Sequence, residues 1–117
     1  MRQTDLPVQK LIEICEAQIQ GKGECHSCHG PVPVCFFINE IGSAALEEND
    51  RTAQKYLLGL LNHNNEEWRL ISFCYLLQIP EGVLEAGDAA VLAEHKKKPE
   101  NAPIIRDALN QFYNLDN

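Results

Sequence analysis

Residues 52–78 read TAQKYLLGLLNHNNEEWRLISFCYLLQ. Two apolar runs flank a polar centre, and the spacing inside them decides the fold. In the first run Ala53, Tyr56, Leu57, Leu60 and Leu61 recur at steps of one, three or four. On a helix of about 3.6 residues per turn such steps fall on one face. The run stops at NHNN. Asn64 then stands three residues before Glu67, the spacing of a capping box with Asn in place of Ser or Thr. The helix predicted from there, 65–78, is apolar on nearly every side: Trp68, Leu70, Ile71, Phe73, Cys74, Tyr75, Leu76, Leu77. A helix apolar all round is expected to be buried. Pro80 and Gly82 break it.

The same period extends outward in both directions. Upstream, Val8, Leu11, Ile12, Cys15 and Ile19 mark one face of a first helix over 4–20. Thr4 or Asp5 can cap it, Pro7 is tolerated in its first turn, and Gly21 and Gly23 end it. Residues 21–33 form a Gly- and Pro-containing loop. A second helix, 34–47, carries Val34, Phe37, Ile38, Ile41 and Ala45 on its face. The turn ENDR follows, where Asn49 or Asp50 can cap the next helix. Downstream, Asp88 can cap a helix running through Ala90, Val91, Leu92 and Ala93 to Lys96, Lys97 and Lys98. Pro99 stops it. Asn101 can cap a last helix with face Ile105, Ala108, Leu109 and Phe112. No segment alternates with a period of two, so the expectation is one all-α domain over 1–117. Its five or six short helices would stack as antiparallel hairpins, with the helical hairpins over 34–117.

The stretch 52–78 resembles a HEAT-type repeat. YLLGLL matches the leucine-rich end of an outer helix, HNNEE the polar turn, and Trp68-Arg69 the opening of the inner helix. Segments 83–98 and 101–115 resemble a second, degenerate repeat, and 34–47 the inner helix of an earlier one. The outer-helix proline usual in such repeats is absent. The resemblance implies a binding scaffold for another protein, and a role for Arg69 in pairing with an acid of the neighbouring repeat. Such stacks generally need about three units to close a continuous core.

Composition narrows the partner class. Seventeen acids against ten bases leave a net charge of −7. Nucleic acid is not the expected partner, because its binding needs a basic stripe. The one basic cluster, Lys96 to Lys98, reads as a helix end, where cations oppose the dipole. No run reaches a membrane span, and the first residues show no secretory pattern. Five cysteines cannot all pair within the chain. These features favour a reducing cytoplasm and free or metal-bound thiols.

The segment ECHSCHG, 24–30, is the chemically loaded part. Cys25 and Cys28 form a knuckle, since two intervening residues let both sulfurs face one ion. Cys35 and His29 complete a candidate zinc tetrahedron, with His26 the other possible fourth ligand. GECHSCHGPVPV resembles the knuckle of small zinc ribbons, although a full ribbon would bring a second CxxC. Such a site would be structural. An alternative is c-type haem, attached through Cys25 and Cys28 with His29 as proximal ligand and His26, His63 or His95 as distal ligand. A third is a metal-free loop whose thiols cycle with a disulfide as a redox sensor.

The remaining candidates read as structural. Cys15 and Cys74 fall on apolar faces and are expected in the core. Trp68 is expected to seal the hairpin, His63 to be a solvated turn residue, and His95 to belong to a helix end. Glu47, Glu48, Asp50, Glu66 and Glu67 are expected to cap helices and solvate turns. No P-loop, dinucleotide fingerprint, serine elbow or HExxH stands in the chain, so the sequence predicts a binding protein and not an enzyme.

Overall fold

Each of the faces above pairs with a neighbouring face, and the result is a stack of three helical hairpins. The structure, a computed structural model, describes residues 5–20, 34–80 and 82–116, with side chains as far as Gln111. Its helices are α1 (Val8–Gln20), α2 (Val34–Glu47), α3 (Arg51–Leu60), α4 (Glu66–Leu76), α5 (Ala86–Lys97) and α6 (Ala102–Asp116). A single 3₁₀ turn, Pro99–Asn101, joins the last two. There is no strand among the described residues. Helices α2, α4 and α6 lie side by side as one layer, and α1, α3 and α5 form the other. Leu11, Ile38, Ile41, Leu57, Phe73 and Leu76 fill the space between the layers.

The predicted faces of α1, α2 and α3 are the buried ones. Val34, Phe37, Ile38, Ile41 and Ala45 are all buried, as are Ala53, Leu57, Leu60 and Leu61. Two faces differ from expectation. On α4 only Ser72, Phe73 and Leu76 are fully buried; Trp68, Leu70, Ile71, Cys74, Tyr75 and Leu77 are half-buried against the core. A short central helix packed between two neighbours in its own layer and a third in the other still leaves its outer edges near solvent. On α6 the buried residues are Ile104 and Ala108, so the face is turned from Ile105 and Leu109.

Local chemistry sets the helix ends. Asp50 caps α3, its carboxylate accepting from the Ala53 amide at 2.9 Å. Asn49 ends α2 in the left-handed region, φ 53°, which Asn tolerates better than most residues. The amides of Glu48 and Asp50 both donate to the Ala44 carbonyl. Gln54, buried completely, donates from Nε2 to the Ala45 carbonyl (3.0 Å) and to Asn49 Oδ1 (2.9 Å). It thereby ties the start of α3 to the end of α2. The cap of α4 is Asn65, whose Oδ1 accepts from the Trp68 amide, one residue later than the capping box predicts. Pro7 precedes α1, and its carbonyl accepts from the Leu11 amide. Asp88 lies inside the first turn of α5 and does not cap it; Glu85 holds the cap position, but its side chain makes no hydrogen bond to the helix amides. Asn101 is buried in the 3₁₀ turn and uses its amide on the His95 carbonyl, not on the start of α6.

Helices α2 and α4 run parallel and close. Tyr75 of α4 donates its hydroxyl to Asn39 Oδ1 of α2 at 2.7 Å, and Asn39 donates to the Cys35 carbonyl at 3.0 Å. A Cβ at Gly42 would fall inside the Tyr75 ring, so only glycine lets the two backbones approach this far.

Candidate functional site

Among the described residues, an apolar groove of about 450 Å³ between the tail of α4 and α5 is suited to receiving another molecule. Leu77, Pro80, Gly82 and Leu84 form one wall, and Ala89, Leu92 and Ala93 of α5 the other. Lys96, one turn beyond Leu92, stands at its end. The spacing 89, 92, 93, 96 is one helical stripe, so α5 turns small and aliphatic side chains into the groove.

The wall before α5 is shaped by a turn. The Val83 amide donates to the Pro80 carbonyl, and Gly82 has φ +89°. A φ of that sign is open to glycine and costly for most other residues. Position and tilt of α5 are set by α3. Lys55 donates to Glu85 at 2.7 Å and to Asp88 at 3.1 Å, and Arg51 donates to the Val83 carbonyl. The ammonium of Lys55 holds the Glu85 carboxyl below its ordinary range. At the other end of α5, Asn101 Nδ2 donates to the His95 carbonyl at 2.9 Å. His95 is buried, and neither its Nδ1 nor Asn101 Oδ1 has a hydrogen-bond partner among the described residues. Burial pushes the His95 pKa below its ordinary value, and the Lys98 charge adds to this. Lys97 makes an exposed contact with Glu94 at 3.7 Å, whereas Lys96 has no acidic partner among the described residues.

The candidate metal ligands divide. Cys25, His26, Cys28 and His29 lie outside the described residues. Cys35 is on the first turn of α2, half-buried and in no disulfide. Burial raises its thiol pKa, and the neighbouring Glu67 of α4 raises it further. No group of three or more His, Cys, Asp or Glu suited to a metal occurs among the described residues. Glu66, Glu67 and Asp107 instead rim a shallower hollow with Leu70 and Ile104.

Other sequence candidates find definite places. Cys15 is fully buried, and its thiol is pushed up to about 11, chiefly by burial. Tyr56 lies beside it and donates its hydroxyl to Glu16. Cys74 is half-buried, with its sulfur 3.5 Å from Gln111 Oε1. Trp68 meets His63 edge to face, with ring centroids 4.7 Å apart, so His63 is a half-buried turn residue packed on the indole. Arg69 pairs with no acid among the described residues; it donates to the His63 carbonyl at 2.9 Å and braces its own turn. His95 is at the helix end as expected, but buried.

The groove was not among the sequence candidates. Its walls come from residues up to twenty apart, and the only local sign was the stripe of small residues on α5. The architecture defines the class: an all-helical stack of three hairpins. Comparison with protein-family models, curated proteins and solved structures finds no match. Among the described residues no helix is long and apolar enough to cross a membrane.

Proposed function

We propose that this chain is a non-enzymatic, HEAT-like protein-binding module that uses the groove between the α4 tail and α5 as its docking surface. The observation that carries this reading is the groove itself. Its lining is mostly aliphatic and, among the described residues, carries one charged group, Lys96. The two-layer arrangement of hairpins supports the HEAT-like reading. Display of a random peptide library against the full chain tests it. Peptides should be enriched that bind the native chain and not Ala93→Trp, in which an indole fills the groove while exposed backbone is left alone. Enrichment that ignores this substitution, or none, overturns the reading.

The loop between α1 and α2 is proposed to carry a structural zinc held by Cys25, Cys28, Cys35 and His29. Support comes from Cys35, whose sulfur stands free of any disulfide on the helical turn next to that loop. Elemental analysis of natively purified protein should give one zinc per chain. A metal-free, colourless protein would remove the site, and a Soret band surviving denaturation would replace zinc by haem.

A further inference from the structure

The groove also indicates the chemistry of its occupant. Of the recurring modes of peptide capture, three rest on an extended or apolar contact surface: strand addition to a sheet edge, a polyproline helix on aromatic side chains, and an amphipathic helix in an apolar groove. There is no sheet edge among the described residues, and no aromatic residue lines the groove. Small residues do line it: Gly82, Ala89 and Ala93. They leave space for the backbone of a helix to come close, with its larger aliphatic side chains reaching Leu77, Leu84 and Leu92.

Charge fixes the rest. The chain is acidic overall, net −7, yet the groove ends at Lys96, followed at once by Lys97 and Lys98. Lys55 already engages Glu85 and Asp88 at the opposite end of α5, and Lys97 is near Glu94. Lys96 and Lys98 have no acidic partner among the described residues, and both are exposed. A basic end on an acidic molecule admits an acidic ligand there and repels it elsewhere.

We infer that the groove binds an amphipathic helix of a partner protein, with aliphatic residues on one face and acidic residues where that face passes Lys96. The inference rests on the protein-binding reading above and names its ligand. The test uses labelled helical peptides of about 15 residues, long enough to hold a helix. One carries leucines at three- and four-residue steps with flanking glutamates. A second has the same leucines with lysines for glutamates. Fluorescence anisotropy against the full chain should show the acidic peptide binding at least about tenfold tighter than the basic one. Lys96→Glu should abolish or reverse that preference, with the helical circular dichroism spectrum unchanged, and Lys96→Gln should reduce it. Equal binding of both peptides, or a preference indifferent to both substitutions, overturns the inference. If neither peptide binds but the library yields neutral ligands sensitive to Ala93→Trp, the ligand chemistry is wrong and the docking surface stands. If the library yields nothing either, both fall. Concentration-dependent dimers in sedimentation, lost in Lys96→Glu, would make a second copy of this chain the occupant and would also overturn it.

Discussion

At the scale of residues, two glycines make opposite demands. Gly42 lies where α2 and α4 touch, and a methyl group there would enter the Tyr75 ring. Displacing the ring also breaks its hydrogen bond to Asn39. Gly42→Ala should therefore destabilise the fold by about 1–3 kcal/mol, the usual cost of overpacking. Gly59 lies on the exposed side of α3, where an added Cβ meets nothing within 4 Å. Gly59→Ala should stabilise by about 1 kcal/mol, since alanine holds a helix better than glycine. Urea titration of both variants measures the two signs together. His95 supplies a pH effect. Its pKa is lowered in the folded chain, whereas the unfolded chain keeps a value near 6.5. Below that value the unfolded state binds more protons, so stability is lost as pH falls. The groups facing His95 are Lys98, which opposes its protonation, and Asn101. His95→Gln should flatten the fall in Tm between about pH 7 and pH 5, and an unchanged fall would place the acid sensitivity elsewhere.

Among the elements, the caps separate what the sequence made legible from what it did not. For α3 the sequence left Asn49 and Asp50 both open; the structure chooses Asp50, whose carboxylate accepts from the Ala53 amide, while Asn49 takes the left-handed end of α2. For α4 the spacing to Glu67 pointed to Asn64, but the neighbouring Asn65 carries the same side chain and can equally reach an amide of the first turn. The structure chooses Asn65. Asn65→Ala should cost about 1 kcal/mol, and Asn64→Ala should be close to neutral. Equal losses in thermal melts would contradict that assignment. The faces of α1, α2 and α3 were readable because their apolar residues are few and regularly spaced. The α6 face was not, because Ile104 and Ile105 are adjacent and period alone cannot choose between them. Gln54 was invisible for another reason: its role depends on the carbonyl of Ala45 and the side chain of Asn49, which only the folded turn brings near. Gln54→Ala leaves those buried groups unserved and should cost about 1–3 kcal/mol in chemical denaturation.

For the whole molecule, burial thins toward the last hairpin. Between α1 and α4 each helix contributes several fully buried side chains, whereas α5 contributes Leu92 and His95 alone. Helix α5 is weakly amphipathic, so its attachment relies on Lys55, Arg51 and the Asn101 contact. This explains why the architecture was predictable and the groove was not. Burial patterns report on the faces that close a core, and the groove is the place where a face stays open. The proposed zinc ligands are a further case, because spacing shows which residues can meet but not whether a fold brings them together.

The clasp on α5 is mostly in water: Lys55 is 55 % exposed and Glu85 51 %. Salt weakens exposed pairs of this kind, the screening length falling from about 8 Å at physiological strength to about 3 Å at 1 M. Raising the ionic strength should thus speed deuterium uptake at the backbone amides of 86–97 while those of α2 and α4 stay protected, and Lys55→Ala should reproduce the effect at low salt. The proposed docking wall would then yield to its ionic surroundings, adjustable without disturbing the folded stack behind it.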